Sequence, residues 1–256
     1  MRPFCQSESF VSYSGMRMDV ERDTQNVGAS VVRAADPSIR DIVAPDGLGG
    51  GDNEFFGASV TTTKGRQRVK LLLESALEVI EAEGFEGMSL RSVARKAGIT
   101  IGNLQHYYAN HEALLQAVTR YILYHYFVEY DRLAELHAGN VERQFEETIR
   151  FLIEDCKSRR TNAVFFSLWA LSQRNEFVSE LMDLMYTDHR KSLERQLAII
   201  NPDIEIDRLP KVAALIAVQI EGLMLLISAD RPKHKELEGI EEECMRQIMQ
   251  LARQTR

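Results

Sequence analysis

From Arg66 to Arg253, apolar residues return at steps of three and four along almost the whole chain, and no β-branched alternating run is long enough to pair into a sheet. That periodicity leaves an all-α fold as the expected class. Val69, Leu72, Leu73, Ala76, Leu77 and Ile80 form one stripe on a first helix, and Gly84 stands where a left-handed residue would close it. Ser89 is placed to cap a short second helix carrying Leu90, Val93 and Ala94, which Gly98 ends. Thr100 caps a third, from Ile101 to about Tyr107, and a long fourth begins near His111 and runs to about His137. Further helices are expected at 141–157, 162–173 and 176–200, after which Pro202 forbids continuation. The stretch 211–227, "KVAALIAVQIEGLMLLI", is apolar all round and so demands burial on most sides, in a core or against another subunit. A last helix is expected at about 235–253.

Residues 1–63 read differently. They are rich in Gly, Ser, Asp and Thr, contain "DGLGGGDN", and keep no apolar periodicity for more than a turn. The expected organisation is a disordered extension over 1–63, a small helical head over 64–112 and a larger helical body over 113–256.

Composition narrows the function. No uninterrupted apolar stretch of about eighteen residues is present, so neither a membrane span nor a secretory signal is expected, and a cytoplasmic address follows. Cys5, Cys156 and Cys244 share no metal or redox spacing, and the six histidines are dispersed. No metal and no cofactor is expected. Nor is any catalytic residue, because no nucleophile elbow, phosphate loop or paired-carboxylate motif occurs. A net charge of −7 argues against coating nucleic acid non-specifically. Yet residues 64–112 hold seven Lys/Arg against six Glu, and Lys64, Arg66, Arg68 and Lys70 crowd into "KGRQRVK" just before the first strong helix.

The third helix is the chemically distinctive piece. With Leu104 as its inward reference, Gly102 and His106 turn outward and Asn103 and Gln105 flank them. This face is small and hydrogen-bonding, suited to a major groove, because Gly102 holds nothing away while Asn, Gln and His address base edges or phosphates. Thr100 and the free N–H groups at the helix start suit a phosphate. Tyr107 and Tyr108 are expected to offer hydroxyls to the DNA backbone. Ala94, Gly98 and Leu104 stand at the small, turn and apolar positions that two crossed helices with a tight turn require.

Within this pattern, "GFEGMSLRSVARKAGITIGNLQHYYANHEALLQAV" resembles the DNA-binding head of the TetR (tetracycline-repressor) family: an opening helix, Gly-Phe, a Ser/Thr cap, an Ala–Gly-Ile turn, and a short helix followed by tyrosines and Leu-Leu. The resemblance covers about 66–118. Gln105 stands where the family usually has Tyr, and His111 where it usually has Lys. Taken together, the DNA-contact candidates are Lys64, Arg66, Ser89, Arg91, Thr100, Ile101, Gly102, Asn103, Gln105, His106, Tyr107, Tyr108 and His111, with Asn103 and Gln105 expected to read bases.

The resemblance implies a homodimer built on the last two long helices, a pseudo-palindromic double-stranded DNA operator, and a small-molecule inducer held among the middle helices. Gly222 in "IEGLMLLI" would let the paired helices approach closely. Ligand candidates are Tyr124, His125, Phe165, Phe166, Trp169, Met182, Met185, Tyr186 and Met224, with Gln173 and Gln219 as polar anchors. For any single one of these aromatics and methionines, plain core packing is the first reading and ligand contact the second. The function expected is a ligand-responsive transcriptional regulator, a repressor released by its inducer. The alternative is a helical protein-interaction adaptor whose head has lost DNA binding.

Overall fold

The computed structural model describes residues 39, 42–45, 54–229 and 231–254, and over these the chain is helical apart from one hairpin of two-residue strands, β1 (Glu54–Phe55) and β2 (Ala58–Ser59). The described helices after Thr62 are α1 (Thr63–Gly87), α2 (Leu90–Lys96), α3 (Ile101–Gln105), α4 (His111–Leu136), α5 (Val141–Asp155), α6 (Arg159–Ser172), α7 (Glu176–Ile200), α8 (Leu209–Ile227) and α9 (Ile240–Arg253). One of the expected boundaries moves. Gly84, at φ 72° and ψ 177°, breaks the helical backbone where it was expected to close the first helix, and a further turn carrying buried Phe85 completes α1. Gly239, at φ 78°, separates a 3-10 turn at Lys235–Leu237 from α9, so the expected last helix is in two pieces.

Helix starts follow local chemistry. The Thr62 hydroxyl accepts the Gly65 N–H at 3.0 Å at the head of α1, and Asn110 Oδ1 accepts the Ala113 N–H at 2.9 Å at the head of α4. At α2, Ser89 and Ser92 form a reciprocal capping box, and the Ser92 hydroxyl also donates to the Gly87 carbonyl at 2.8 Å. One serine thus ties the α2 start to the end of α1.

The described residues fall into two compact units. One holds residues 39–132 and Ala163–Ser192, the other Leu133–Asn162 and residues 193–254. In the first, α1 packs on α2 and α2 on α3, around fully buried Leu72, Leu73, Ile80, Leu104, Leu114 and Ile122. The Tyr121 hydroxyl of α4 donates to Glu74 of α1 at 2.7 Å.

The expectation of a disordered 1–63 is corrected over its last part. Residues 54–62 carry the hairpin and the α1 cap, and Ile39, Val43, Phe55, Phe56, Ala58 and Val60 are all buried. Gly/Ser/Asp-rich flanks hide a short apolar run that needs a distant partner to become ordered. Most of the remaining extension lies outside the described residues.

In the second unit α5, α8 and α9 pack on one another. Burial pushes the Cys156 thiol well above its usual range, and its Sγ lies 3.4 Å from the Ile220 carbonyl. One side of α8 is core: Val212, Ala213, Ile216, Ile220 and Leu223 are buried. The other is also apolar and open to solvent, with Leu215 52%, Val218 64%, Leu225 51% and Leu226 47% exposed. By length and composition alone α8 is long and apolar enough to cross a membrane, with mean hydropathy 1.8, although a third (33%) of its most apolar window is already buried within the chain. Lys211, Gln219 and Glu221 interrupt the stretch, which is why it does not stand out in the sequence as an unbroken apolar run.

Candidate nucleic-acid interface

Helix α3 is only five residues long, and one side chain anchors it. Leu104 is fully buried, while Gly102, Asn103, Gln105 and His106 are exposed and Ile101 is half-buried. Thr100 caps the helix, its Oγ1 accepting the Asn103 N–H at 3.2 Å. The preceding turn depends on Gly98 at φ 67°, a left-handed conformation that a side chain resists.

Gly102 has no such excuse. Its backbone is not among the positive-φ positions, and a Cβ built there meets nothing within 4 Å. Neither conformation nor the chain's own packing requires glycine, which within a helix costs about 1 kcal/mol relative to alanine. The unexplained requirement faces outward, toward whatever approaches α3. Gly102→Ala is therefore expected to raise the unfolding free energy by up to about 1 kcal/mol while weakening specific DNA binding roughly tenfold, the scale of one lost base contact. Urea unfolding and an anisotropy titration check the two signs, and a variant that gains stability at no cost in binding would remove Gly102 from the interface.

Other candidates gather around this face or turn from it. Ser89 is exposed, but its hydroxyl is occupied in capping α2, accepting the Ser92 N–H at 3.0 Å. Arg91 is exposed on α2, and Lys64 and Arg66 are exposed on the first turn of α1. The Arg66 guanidinium lies over the Phe55 ring, 5.5 Å from its centroid. Tyr107 is half-buried, its ring edge-on to His106 at 5.4 Å.

Tyr108 is corrected. It is 1% exposed, and its hydroxyl donates to the Phe56 carbonyl at 3.3 Å. It cannot reach DNA, and burial raises its phenol well above the usual range. Tyr108 stands four residues after inward Leu104 and its N–H still donates to the Leu104 carbonyl at 3.0 Å, so it follows the same inward face. At His111 the imidazole Nε2 lies 3.0 Å from the Met88 carbonyl, so it serves as donor there and links the start of α4 to the α1–α2 connection.

The ligand candidates divide between the two units. In the first, Trp169 Nε1 donates to the Tyr186 hydroxyl at 2.7 Å, with Phe166 packed edge-on to the indole at 5.6 Å. Phe165 and Met182 are buried, Met185 is half-buried, and Gln173 is exposed beyond the end of α6. On α4 the half-buried Tyr124 meets the Phe56 ring at 5.5 Å, and His125 packs edge-on to Tyr121 at 4.4 Å. Gln219 and Met224 belong to the second unit, where Gln219 Oε1 lies 3.9 Å from Cys244 Sγ and Met224 is buried. Sequence reading missed Phe55 and Phe56. Their one local signal was the apolar run "FFGASV" just ahead of the Thr62 cap.

Comparison with known proteins agrees with this geometry. Residues 72–118 match the model for bacterial regulatory proteins of the tetR family. An HTH-type transcriptional regulator encoded in the dhlA 5′ region of Xanthobacter autotrophicus is 26% identical over 137 residues, covering 53% of this chain and 68% of that protein. The HTH-type transcriptional regulator BetI of Pectobacterium atrosepticum is 26% identical over 165 residues, 62% of this chain and 80% of BetI. In fold, a transcriptional regulator from Rhodococcus sp. Rha1 superposes with a TM-score of 0.57 at 19% identity, over 72% of this chain and 93% of that one. With a tetR-family helix–turn–helix head over residues 72–118 and an all-helical body, the chain is similar over more than half of its length to HTH-type transcriptional regulators.

Proposed function

We propose that this regulator is a cytoplasmic homodimeric repressor that binds a pseudo-palindromic operator and is released by a small-molecule inducer. The observation that carries the reading is the outward face of α3, where Gly102 stands in open space among exposed Asn103, Gln105 and His106. Residues 64–112 act as the reading head and 113–256 as the body for dimerisation and inducer binding. Asn103 and Gln105 read base edges, and Lys64, Arg66, Arg91 and Thr100 hold phosphates.

The dimer is supported by α8. Val218 and Leu225 share one exposed row, and Gly222 lies between them with nothing within 4 Å of a Cβ, leaving room for a helix to approach. A two-fold axis would then set two copies of α3 against two half-sites. The inducer arm rests on the aromatic group of Phe165, Phe166, Trp169 and Tyr186, apolar walls with few polar tips. For release, an inducer must bind the DNA-free arrangement more tightly than the DNA-bound one.

The test is an anisotropy titration against duplex DNA from upstream of the protein's own gene, at two salt concentrations, beside unrelated DNA and a Gln105→Ala/His106→Ala variant. Binding that exceeds unrelated DNA by roughly a thousandfold or more and is lost in the variant is the expected result. Equal binding to both duplexes would overturn recognition of that site.

A further inference from the structure

The hairpin before α1 is held in a conformation its sequence resists. Phe56 and Gly57 occupy the two central positions of the turn at φ 48° and 76°, the positive values of a type I′ hairpin, and Phe56 is the one positive-φ residue other than glycine among the described residues. Asn or Gly is the usual occupant of such a position, and a bulky side chain there is strained. Strain of this kind persists only where the surroundings over-determine it. Here they do: the Phe56 ring, 2% exposed, packs edge-on against Tyr121 at 5.1 Å and Tyr124 at 5.5 Å, both on α4.

What the strained turn delivers is a set of contacts to the parts of the head that must keep register. The Phe56 carbonyl accepts the Tyr108 hydroxyl at 3.3 Å, three residues beyond the end of α3. Its N–H donates to the Pro45 carbonyl, tying the turn to the preceding segment. Next to it, the Phe55 ring lies beneath the guanidinium of Arg66 on α1. Tyr121, on which Phe56 packs, is itself hydrogen-bonded to Glu74 of α1 at 2.7 Å. The turn and the strand residue before it therefore touch α1 through Phe55, and the α3–α4 corner and the middle of α4 through Phe56.

We infer that Phe56 is a positioning residue for DNA recognition: its ring and carbonyl lock the α3–α4 corner to α4 and so fix the angle at which α3 is presented. The inference rests on the regulator reading above, since it assigns a residue that acts through α3 and touches no base.

The test uses the full chain. A random-sequence duplex library is enriched with wild-type protein, and the winning duplex and a scrambled version are titrated with wild type, Phe56→Gly, Phe56→Leu and Tyr108→Phe. Glycine removes the ring and relieves the positive φ, leucine returns apolar bulk, and Tyr108→Phe deletes only the hydroxyl that Phe56 accepts. Phe56→Gly is expected to lose roughly tenfold or more on the enriched duplex with binding to the scrambled duplex unchanged, and Phe56→Leu to recover part of the loss. Tyr108→Phe is expected to lose about threefold on the enriched duplex alone, the scale of one neutral hydrogen bond. It carries the test if circular dichroism shows Phe56→Gly unfolded. Unchanged affinity for the enriched duplex, or losses on both duplexes that track the folded fraction, would overturn the inference and leave the regulator reading standing. If wild type enriches no sequence, the regulator reading fails and takes this inference with it.

Discussion

Val218→Glu combined with Leu225→Glu is expected to leave the chain folded, render it monomeric, and weaken operator binding by roughly a hundredfold or more. The two positions lie seven apart on one face of α8 and are 64% and 51% exposed in the single chain, so carboxylates there stay hydrated and cost the monomer little. In a two-fold pairing of α8 the same substitutions bring four carboxylates into an apolar interface without partners, and each unpaired buried charge costs several kcal/mol. Loss of the dimer removes the gain of binding a second half-site intramolecularly, which is commonly worth 10²-fold or more. Light scattering after size exclusion reads the mass, and anisotropy reads the affinity. A variant that remains dimeric would show that this face of α8 is not the interface.

The second large effect lies in the head. Leu104 is the single fully buried residue of α3, so Leu104→Ala removes the anchor of a helix too short to persist on its own. A cost of about 2–5 kcal/mol is expected from lost apolar burial and the cavity left behind, read by urea unfolding. Specific DNA binding should fall with it, because Asn103 and Gln105 would no longer be held in place. This contrasts with Gly102→Ala, two residues away, where stability and binding should move in opposite directions. A Leu104→Ala protein within 1 kcal/mol of wild type would mean that α3 is anchored by something other than its core contact.

Features settled by neighbouring residues were legible in the sequence. Ser89 and Thr100 cap where they were expected to, since a cap reaches only three residues along the chain, and the 176–200 boundaries of α7 stand as read, with charged Glu176 at its start and Pro202 beyond its end. The inward Leu104 and outward Gly102 followed from helical periodicity alone. What depended on distant partners was not legible. Tyr107 and Tyr108 are indistinguishable as residue types; the four-residue step from Leu104 puts Tyr108 on the inward face, but that its hydroxyl meets a carbonyl 52 positions away does not show in the sequence. The hairpin was hidden for the same reason: type I′ turns are recognised by Asn-Gly or Gly-Gly, whereas Phe56-Gly57 is stabilised by rings on α4. The ligand candidates were chosen by residue type, which cannot foresee that Gln219 and Met224 would share a compact unit with α5 and α9.

The central claim is that the exposed face of α3 reads bases, and its most direct test is to compare the sequences enriched from a random duplex library by wild type and by Gln105→Ala. Wild type should select an inverted repeat with half-sites centred about one helical turn, roughly 10 base pairs, or a multiple of it apart. Gln105→Ala should select the same repeat with its preference relaxed at one symmetric pair of positions, by about 1–3 kcal/mol. Identical preferences from the two proteins would contradict base reading by Gln105, and the absence of any enriched sequence would contradict the claim as a whole.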